Sequence, residues 1–274
     1  MQLQAPAKIN LYLRVARLGA DGFHPLLSWF CTIGLYDTIE IQPATGWGLT
    51  LTCNDPALPV DEGNLLYRAG RKIDLAANVH LIKRIPMGAG LGGGSSDAGT
   101  LLKSARQAIA PGRAEKVAES LGADVRFFLD GPSAICSGRG EVIRPIAPPK
   151  CRWAMLVLPR IHMPTAAVYR KFDEMKLGSE LIEQQWDDWT KLSAQRLLPK
   201  LVNDLEPPAF SLEPKLGTLR AEIEQALGQP VRMSGSGSSL FTLFDAEEPA
   251  SEAARTIAEK FGVVAHAVEV APRS

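Results

Sequence analysis

The sequence predicts an α+β fold built from two halves. Its 274 residues suffice for one large or two modest domains. Predicted strands and helices follow one another without strict alternation, which is typical of an α+β protein. The proline-rich stretch at residues 145–150 favours an extended link. We therefore expect domains at residues 1–148 and 149–274.

The first half mixes strands with helices of amphipathic spacing. Residues 7–15 alternate apolar and polar side chains, which indicates a strand with one buried face, and Asp21-Gly22 marks a turn. The remaining predicted elements are strands at 29–42, 48–53 and 79–85, a helix at 64–77 capped by Asn64, a helix from Ser95 or Ser96 to about Ile109, and a helix at 114–121 closed by Gly122.

The first half ends with a predicted hairpin at residues 133–145, which turns around residues 137–140, and the second half follows the proline-rich stretch. A loop of small residues, Ser234-Gly235-Ser236-Gly237-Ser238-Ser239, lies near the C-terminus, and we call it the Ser-Gly loop. The other predicted elements are strands at 153–158, 240–244 and 263–270 and helices at 165–175, 187–202, 213–227 and 250–261. The sequence contains no internal repeat and no low-complexity segment.

Composition excludes several classes of protein. Hydrophobic residues make up 46% of the chain and charged residues 22%, and the formal net charge is zero. No basic stripe in the sequence argues for binding to nucleic acid. No apolar run is long enough for a membrane span, and the N-terminus lacks the pattern of a signal peptide. The four cysteines lack metal-site spacing and read as buried thiols. We therefore expect a cytoplasmic protein without nucleic-acid or membrane partners.

Residues 86–97 form a glycine-rich segment, Pro-Met-Gly-Ala-Gly-Leu-Gly-Gly-Gly-Ser-Ser-Asp, which we call the glycine loop. It lies between a predicted strand and a predicted helix. Glycine loses more conformational entropy on folding than any other residue, so such a cluster implies a use. Bare backbone N–H groups at the start of a helix favour a phosphate. The loop therefore predicts a phosphorylated ligand.

Three phosphate-loop interpretations compete with that of a flexible linker. A Walker A loop requires a lysine where Gly94 stands. The spacing Gly88-Ala89-Gly90-Leu91-Gly92-Gly93 satisfies a dinucleotide fingerprint, but helix-forming sequence and Pro111-Gly112 stand where that fold needs a second strand. The third is another kind of nucleotide loop, in which Ser95, Ser96 and Asp97 supply oxygen atoms near a nucleotide-bound Mg²⁺.

Three segments taken together resemble the signature motifs of the GHMP kinases: Pro6-Ala7-Lys8-Ile9-Asn10-Leu11, the glycine loop and the Ser-Gly loop. Further matches, Asp21-Gly22-Phe23-His24, Leu121-Gly122-Ala123-Asp124-Val125 and Asn203-Asp204-Leu205-Glu206, point to the members that act on a cytidine-diphosphate-linked methylerythritol. The resemblance implies an N-terminal domain like domain 2 of ribosomal protein S5 and a C-terminal ferredoxin-like α/β sandwich. It also implies ATP and Mg²⁺, and transfer of the γ-phosphate to the 2-hydroxyl of that substrate in the non-mevalonate isoprenoid route. We expect a monomer or a weak homodimer.

The resemblance assigns the catalytic roles to Lys8 and Asp124. On residue type alone, Asp124 after a glycine would tighten a turn and Lys8 in a strand would point to solvent. As a base, Asp124 would accept the proton of the attacking hydroxyl, while Lys8 would stabilise the charge that develops.

The resemblance also implies two groups of binding residues. The ATP group consists of Asn64, Leu65, Lys83, Pro86, Met87, Gly88, Ala89, Gly90, Leu91, Gly92, Gly93, Gly94, Ser95 and Ser96. The substrate group consists of Asn10, Phe23, His24, Phe30, Tyr169 and Arg170, in which Phe23 and Tyr169 would sandwich the cytosine and His24 would bind its polar edge. Each has an ordinary alternative, such as a helix cap for Asn64, a solvated lysine for Lys83 or core packing for Phe23 and Phe30. No dedicated metal cage is expected.

Three positions depart from the pattern of the family. Phe23 replaces a usual tyrosine, so stacking is kept and a hydroxyl is lost. Arg126 replaces a usual proline, and its charge could pair with Asp124 or with a phosphate. Gly99 replaces a usual alanine, which costs about 1 kcal/mol inside a helix.

Overall fold

The structure, a computed structural model, describes residues 1–44 and 48–272. These residues form two compact units that are discontinuous in sequence. The first unit consists of Met1–Ala7, Leu35–Met87 and Gly92–Gly131, and the second of Lys8–Gly34, Gly88–Leu91 and the chain from Pro132 onward. The proposed division at residue 148/149 stays a prediction.

Four strands contribute pairings to the first unit: β1 (Gln2–Val15), β2 (Leu26–Pro43), β3 (Leu49–Cys53) and β4 (Ala77–Ile82). Strand β4 pairs in parallel with β3 and antiparallel with the end of β2, where Thr38 faces Ile82. The helices of this unit are α1 (Leu65–Lys72), α2 (Gly93–Ala105), α3 (Arg113–Leu121) and α4 (Ala123–Asp130). Sheet and helices enclose a core that includes Ile39, Leu66, Leu81, Leu102 and Val125.

Several predicted bounds in the first unit are wrong. The helix predicted at 64–77 ends at Lys72, because Asp74 has a left-handed φ of 57° and Ala77 already belongs to β4. The strand predicted at 79–85 ends at Ile82. Asn64 does cap α1, since its side chain accepts the N–H of Leu66 at 2.9 Å.

Helix α2 begins earlier than predicted. Its N-cap is Gly92, with a left-handed φ of 68°, rather than Ser95 or Ser96, and it ends at Ala105 rather than near Ile109. The hydroxyl of Ser96, inside the helix, donates to the Pro6 carbonyl at 2.6 Å. Glycine supplies the cap because its missing side chain permits the turn that the loop makes there.

Gly99 is required by helix packing. A Cβ atom at this position would lie 2.6 Å from Phe128 Cβ and 2.9 Å from the Val125 carbonyl oxygen, both on α4. The helix-propensity cost expected from the sequence is therefore offset by the close approach of α2 to α4. Helix α4 itself was not predicted, and Asp124 lies in its first turn.

The second unit contains the predicted hairpin, formed by β5 (Ser133–Gly138) and β6 (Val142–Pro145), and the beginning of β2 pairs antiparallel with β5. A second, antiparallel sheet contains β7 (Trp153–Leu158), β8 (Arg232–Met233), β9 (Leu240–Phe244) and β10 (Val264–Glu269), in the order β10-β7-β9-β8. The helices of this unit are α5 (Thr165–Glu174), α6 (Trp186–Trp189), α7 (Ala194–Leu197), α8 (Glu206–Leu212), α9 (Pro214–Leu227) and α10 (Glu247–Phe261). The mixed, non-alternating arrangement confirms the α+β class.

The helix predicted at 187–202 is wrong as a single element. It divides into α6, α7 and a 3-10 turn at Leu198–Lys200, because Ser193 adopts an extended backbone with ψ of 162°. Helix α8, which contains Pro207 and Pro208, was not predicted. Both prolines lie in its first turn, where no backbone N–H is needed for an intrahelical hydrogen bond.

The four cysteines are free thiols, and only Cys53 is partly exposed. Burial raises the pKa of Cys31 and of Cys151 to about 12, so both stay protonated and unreactive near neutral pH. No helix within residues 1–44 and 48–272 is both long and apolar enough to cross a membrane.

Candidate active site

The middle of the glycine loop packs against the Ser-Gly loop, main chain on main chain. A Cβ atom at Gly90 would lie 2.1 Å from the Ser234 carbonyl oxygen, and Gly90 has a left-handed φ of 76°. The Ser234 hydroxyl donates to the Gly90 carbonyl at 2.9 Å, and the Ser239 N–H donates to the Ala89 carbonyl at 3.2 Å. Position 90 therefore requires glycine both for space and for backbone conformation.

The Ser-Gly loop is held in turn by the segment Asn203-Asp204-Leu205-Glu206. The amide of Asn203, which is buried, donates to the carbonyls of Met233 at 2.7 Å and Gly235 at 2.8 Å. The Glu206 carboxylate accepts the N–H of Met233 at 2.8 Å. From the sequence, this segment was identified only as a match to a family motif. In the structure, it holds the Ser-Gly loop in place.

Strand β1 carries two polar side chains into the interior of the second unit. Lys8 is only 5% exposed, so the alternative in which it points to solvent is wrong. Its Nζ donates to Asn10 Oδ1 at 2.5 Å and lies 4.6 Å from the centroid of the Phe30 ring. Asn10 Nδ2 donates to the Ser28 hydroxyl at 3.0 Å. Three residues that the sequence assigned to catalysis or substrate binding, Lys8, Asn10 and Phe30, thus lie together.

In the first unit, the ends of the glycine loop meet a buried cluster of charges: Asp37, Lys83 and Asp97. Lys83 Nζ donates to Asp37 Oδ2 and, at 3.0 Å, to Asp97 Oδ2. Asp37 Oδ1 accepts the N–H groups of Arg84 at 2.6 Å and Ile85 at 2.9 Å, just before the loop. Asp97 belongs to α2, just after the loop. One cluster therefore fixes the chain on both sides of the loop.

The burial of this cluster excludes the alternative that Lys83 is a solvated lysine. Its side chain is 7% exposed, Asp37 is fully buried, and Asp97 Oδ1 is buried without a hydrogen-bond partner among the described residues. Burial raises the pKa of Asp97 to about 7, although Lys83 opposes the shift. Burial also lowers the pKa of Lys83, but the two carboxylates outweigh it and the net pKa is raised. The ammonium group is therefore charged, and the carboxylates compete for it.

The resemblance implies that three residues lie near the adenine, Asn64, Leu65 and Lys83, and the first two lie at the start of α1. Both polar ends of the Asn64 amide serve the local fold, since Nδ2 donates to the Pro59 carbonyl at 2.9 Å while Oδ1 caps the helix. Leu65 is half-buried, and its Cδ1 lies 3.9 Å from the position of a Cβ on Gly94. Leu65 is therefore adjacent to the glycine loop, and an adenine role for either residue stays a prediction.

Asp124 is half-buried in the first turn of α4. The neighbouring Arg126 directs its guanidinium to Asp130, one turn further along the helix, and lies 3.9 Å from Glu119. The positive charge that replaces the usual proline thus has carboxylate partners on α3 and α4.

Phe23 is 51% exposed, so core packing is wrong for this side chain. Its ring stacks on the guanidinium of Arg139, whose Cζ lies 3.9 Å from the ring centroid. Asp21 Oδ2 accepts a hydrogen bond from Arg139 at 2.7 Å. Sequence reasoning missed Arg139 because it lies in the turn of a hairpin, far from Phe23 in the chain.

The ring of His24 packs against two aromatic side chains of α5, Tyr169 and Phe172. Its ring centroid is 5.3 Å from that of Tyr169 and 5.5 Å from that of Phe172. Nδ1 lies 2.9 Å from the Ala16 carbonyl oxygen and Nε2 lies 3.3 Å from Asp173 Oδ1. The structure brings His24 and Tyr169 together. Arg170, the next residue of α5, is exposed.

The donor set fits a Mg²⁺ that is held mainly by nucleotide phosphates. Within the described ranges, no group of three or more His, Cys, Asp or Glu side chains could hold a metal. Ser96 donates to Pro6 and Asp97 accepts from Lys83, whereas Ser95 is half-buried at the start of α2. A hydroxyl beside phosphate oxygens suits Mg²⁺, which rarely uses an all-protein cage.

Two family models match the chain: the GHMP kinases N terminal domain over residues 64–132 and the GHMP kinases C terminal domain over residues 179–263. A 4-diphosphocytidyl-2-C-methyl-D-erythritol kinase of Protochlamydia amoebophila is 36% identical over 92% of this chain and 87% of its own length. One of Citrifermentans bemidjiense is 34% identical over 98% of both chains.

Solved structures give the same result. A crystal structure of 4-(cytidine 5'-diphospho)-2C-methyl-D-erythritol kinase matches with a TM-score of 0.80 and 35% identity over 100% of both chains. A homoserine kinase from Cytophaga hutchinsonii matches with a TM-score of 0.69 at 18% identity, which indicates a shared fold. The two-domain fold expected from the motifs is confirmed, and the dinucleotide interpretation of the glycine loop has no support.

Proposed function

Because the chain belongs to the 4-diphosphocytidyl-2-C-methyl-D-erythritol kinase family of the GHMP kinases, we propose that it phosphorylates the 2-hydroxyl of 4-diphosphocytidyl-2-C-methyl-D-erythritol with ATP. The products are the 2-phosphate and ADP, in the non-mevalonate route to isoprenoid precursors. The observation that carries this proposal is the similarity over nearly the whole chain to relatives of that name.

In the proposed reaction, the 2-hydroxyl oxygen attacks the γ-phosphorus of ATP. The bond from that phosphorus to the β–γ bridging oxygen breaks, and ADP leaves with the electron pair. Asp124 accepts the hydroxyl proton, and its place in the first turn of α4 supports this role because negative charge is favoured there. Lys8 stabilises the charge on the attacking oxygen, and the buried setting of its ammonium strengthens that interaction.

The glycine loop binds the ATP phosphates through its backbone N–H groups at the start of α2. Its interlock with the Ser-Gly loop and the buried Asp37–Lys83–Asp97 cluster support this role, since a preorganised loop loses little entropy on binding. Ser95 would hold Mg²⁺, which neutralises charge on the transferring phosphates when bound.

The cytidine end of the substrate binds beside Phe23, His24 and Tyr169. The exposed face of Phe23 and the aromatic group around His24 support stacking with a flat base. Asn10 orients the methylerythritol hydroxyls, and its hydrogen bonds with Lys8 and Ser28 fix its amide for that purpose. Arg170, exposed on α5, contributes positive charge.

The test is a coupled assay of ADP release with the cytidylyl substrate, run in parallel with mevalonate and homoserine. We expect turnover with the cytidylyl substrate alone. Turnover with mevalonate or homoserine, and none with the cytidylyl substrate, would contradict the proposal.

The catalytic pair is tested by Asp124→Asn and Lys8→Met. Each should lower kcat by roughly 100-fold or more, because general-base catalysis and electrostatic stabilisation of this kind each raise the rate by a factor of about 10²–10⁴. Arg126→Ala, which alters a neighbouring residue on α4, serves as the matched control. Wild-type kcat in folded Asp124→Asn would remove the base from the mechanism.

We also propose that the protein is cytoplasmic and a monomer or weak homodimer, with a division near residue 148. The free thiols support a reducing compartment. Light scattering tests the oligomeric state, and limited proteolysis between residues 145 and 150 tests the division.

A further inference from the structure

We propose that His162 is a phosphate-binding residue of this site, acting beside the glycine loop on a phosphate of ATP or on the diphosphate of the acceptor. The inference rests on the proposed function for the identity of these ligands. Sequence reasoning passed over His162, because it is a lone histidine between two apolar residues and belongs to none of the motifs.

The imidazole lies directly over bare glycine backbone. A Cβ atom at Gly88 would lie 2.7 Å from both Nδ1 and Cε1 of His162, and Gly88 has a left-handed φ of 64°. The ring presents its Nδ1–Cε1 edge to the loop, so Nε2 is farther from that point. Any side chain at position 88 would displace the ring, and glycine keeps the imidazole and the loop in contact.

The main chain on both sides of His162 is fixed to the Ser-Gly loop. The Ser238 hydroxyl donates to the Ile161 carbonyl at 2.6 Å, and the Thr165 and Ser236 hydroxyls lie 2.8 Å apart. Met163 is only 3% exposed. An exposed imidazole thus stands on an anchored segment next to Gly88, which is also exposed.

The chemistry of the side chain suits a phosphate. Within residues 1–44 and 48–272, no hydrogen bond or ion pair occupies the imidazole of His162, whereas His24 and His80 both have such partners. An imidazole N–H adds a side-chain donor to those of the backbone, and a hydrogen bond to a phosphate is charge-assisted.

Binding measurements separate the two phosphate sources. The dissociation constants of ADP, adenosine, CDP and cytidine are measured by calorimetry for the wild type, His162→Ala and His162→Gln, with His266→Ala on β10 as the matched control. We expect His162→Ala to weaken ADP or CDP binding roughly tenfold, the size of one charge-assisted hydrogen bond at an exposed site, and to change nucleoside binding by less than about twofold. His162→Gln, which keeps a donor, should recover part of the loss.

Each outcome either assigns His162 to one of the two ligands or overturns the inference. A loss confined to ADP assigns His162 to the nucleotide, and a loss confined to CDP assigns it to the acceptor. Equal losses for nucleotide and nucleoside, or no loss in a variant with wild-type thermal unfolding, would overturn the inference. The proposed function is judged separately, by the turnover of the wild type with the cytidylyl substrate.

Discussion

The glycine loop and the Ser-Gly loop are held in place by different physics. The first is fixed at both ends by a buried cluster of charges, Asp37, Lys83 and Asp97. The second is fixed mainly by the neutral amide of Asn203, with Glu206 accepting one backbone N–H. Both anchors are buried, yet only the first depends on a balance of full charges.

This difference predicts different responses to mutation. Removing one member of a buried ion cluster leaves an uncompensated charge away from water, which costs more than the net value of the interaction. Removing a neutral donor leaves two carbonyl groups underused, which is a smaller loss. The first loop should therefore respond strongly to the loss of a charge, and the second should respond less to the loss of Asn203, which does not titrate.

The largest effect is expected for Lys83→Met. It leaves two carboxylates buried together, so we expect the free energy of unfolding to fall by about 3–5 kcal/mol at neutral pH. The loss should shrink at acidic pH, where the carboxylates take up protons. Urea unfolding followed by circular dichroism gives the measurement. Arg126→Ala, which removes a partly exposed ion pair, should cost about 1 kcal/mol or less. Equal losses of stability in the two variants would contradict the claim that the buried cluster contributes more than a partly exposed ion pair.

A smaller effect is expected for Asn203→Ala, which removes two hydrogen bonds to the carbonyls of Met233 and Gly235. We expect a loss of about 1–3 kcal/mol that does not change between pH 5 and pH 8. The comparison is with Asn78→Ala on β4, whose exposed amide should be worth less than about 0.5 kcal/mol. A loss from Asn203→Ala that varies with pH would contradict the assignment of a neutral anchor.

The most specific effect, which is a change with pH and not a fixed loss, is expected for Asp97→Asn. The pKa of Asp97 is about 7 in the folded protein and near 3.8 when unfolded, so the folded state binds the proton more tightly. Stability from this group is full below pH 4 and is lost as pH rises toward 7, at most by about 1.4 kcal/mol per pH unit. The stability of the wild type relative to Asp97→Asn should therefore fall over this range and level off above it. Parallel pH profiles of the two proteins would show that Asp97 does not hold this proton.

Local signals in the sequence predicted much of the fold. Strand β7 and helix α9 follow from apolar spacing, and Asn64 was recognised as a cap because its residue type and position are sufficient for that role. Predictions failed where long-range packing decides. At the break before α7, for example, the N–H of Ala194 donates to Asp245 Oδ1 at 3.0 Å, a contact from far along the chain.

The candidate site shows the same difference between residues that local motifs identify and residues whose partners depend on long-range packing. The glycine loop, Lys8 and Asp124 were found from their motifs, and those motifs identified the family. By contrast, Asp37 and Arg139 carry no local signal, since they meet Lys83 and Phe23 only after strands distant in sequence have paired.

The sequence by itself determined the family and the α+β class and proposed the residues for the chemistry, because these depend on residue type and spacing. Only the tertiary structure decided which groups are buried and which partners they meet. It excluded the alternative of a solvated Lys83, which lies at the centre of an ion cluster, and it placed the imidazole of His162 beside Gly88. Burial and long-range contacts set the strength of the interactions that a charge makes, and neither can be predicted from a residue's neighbours in the chain.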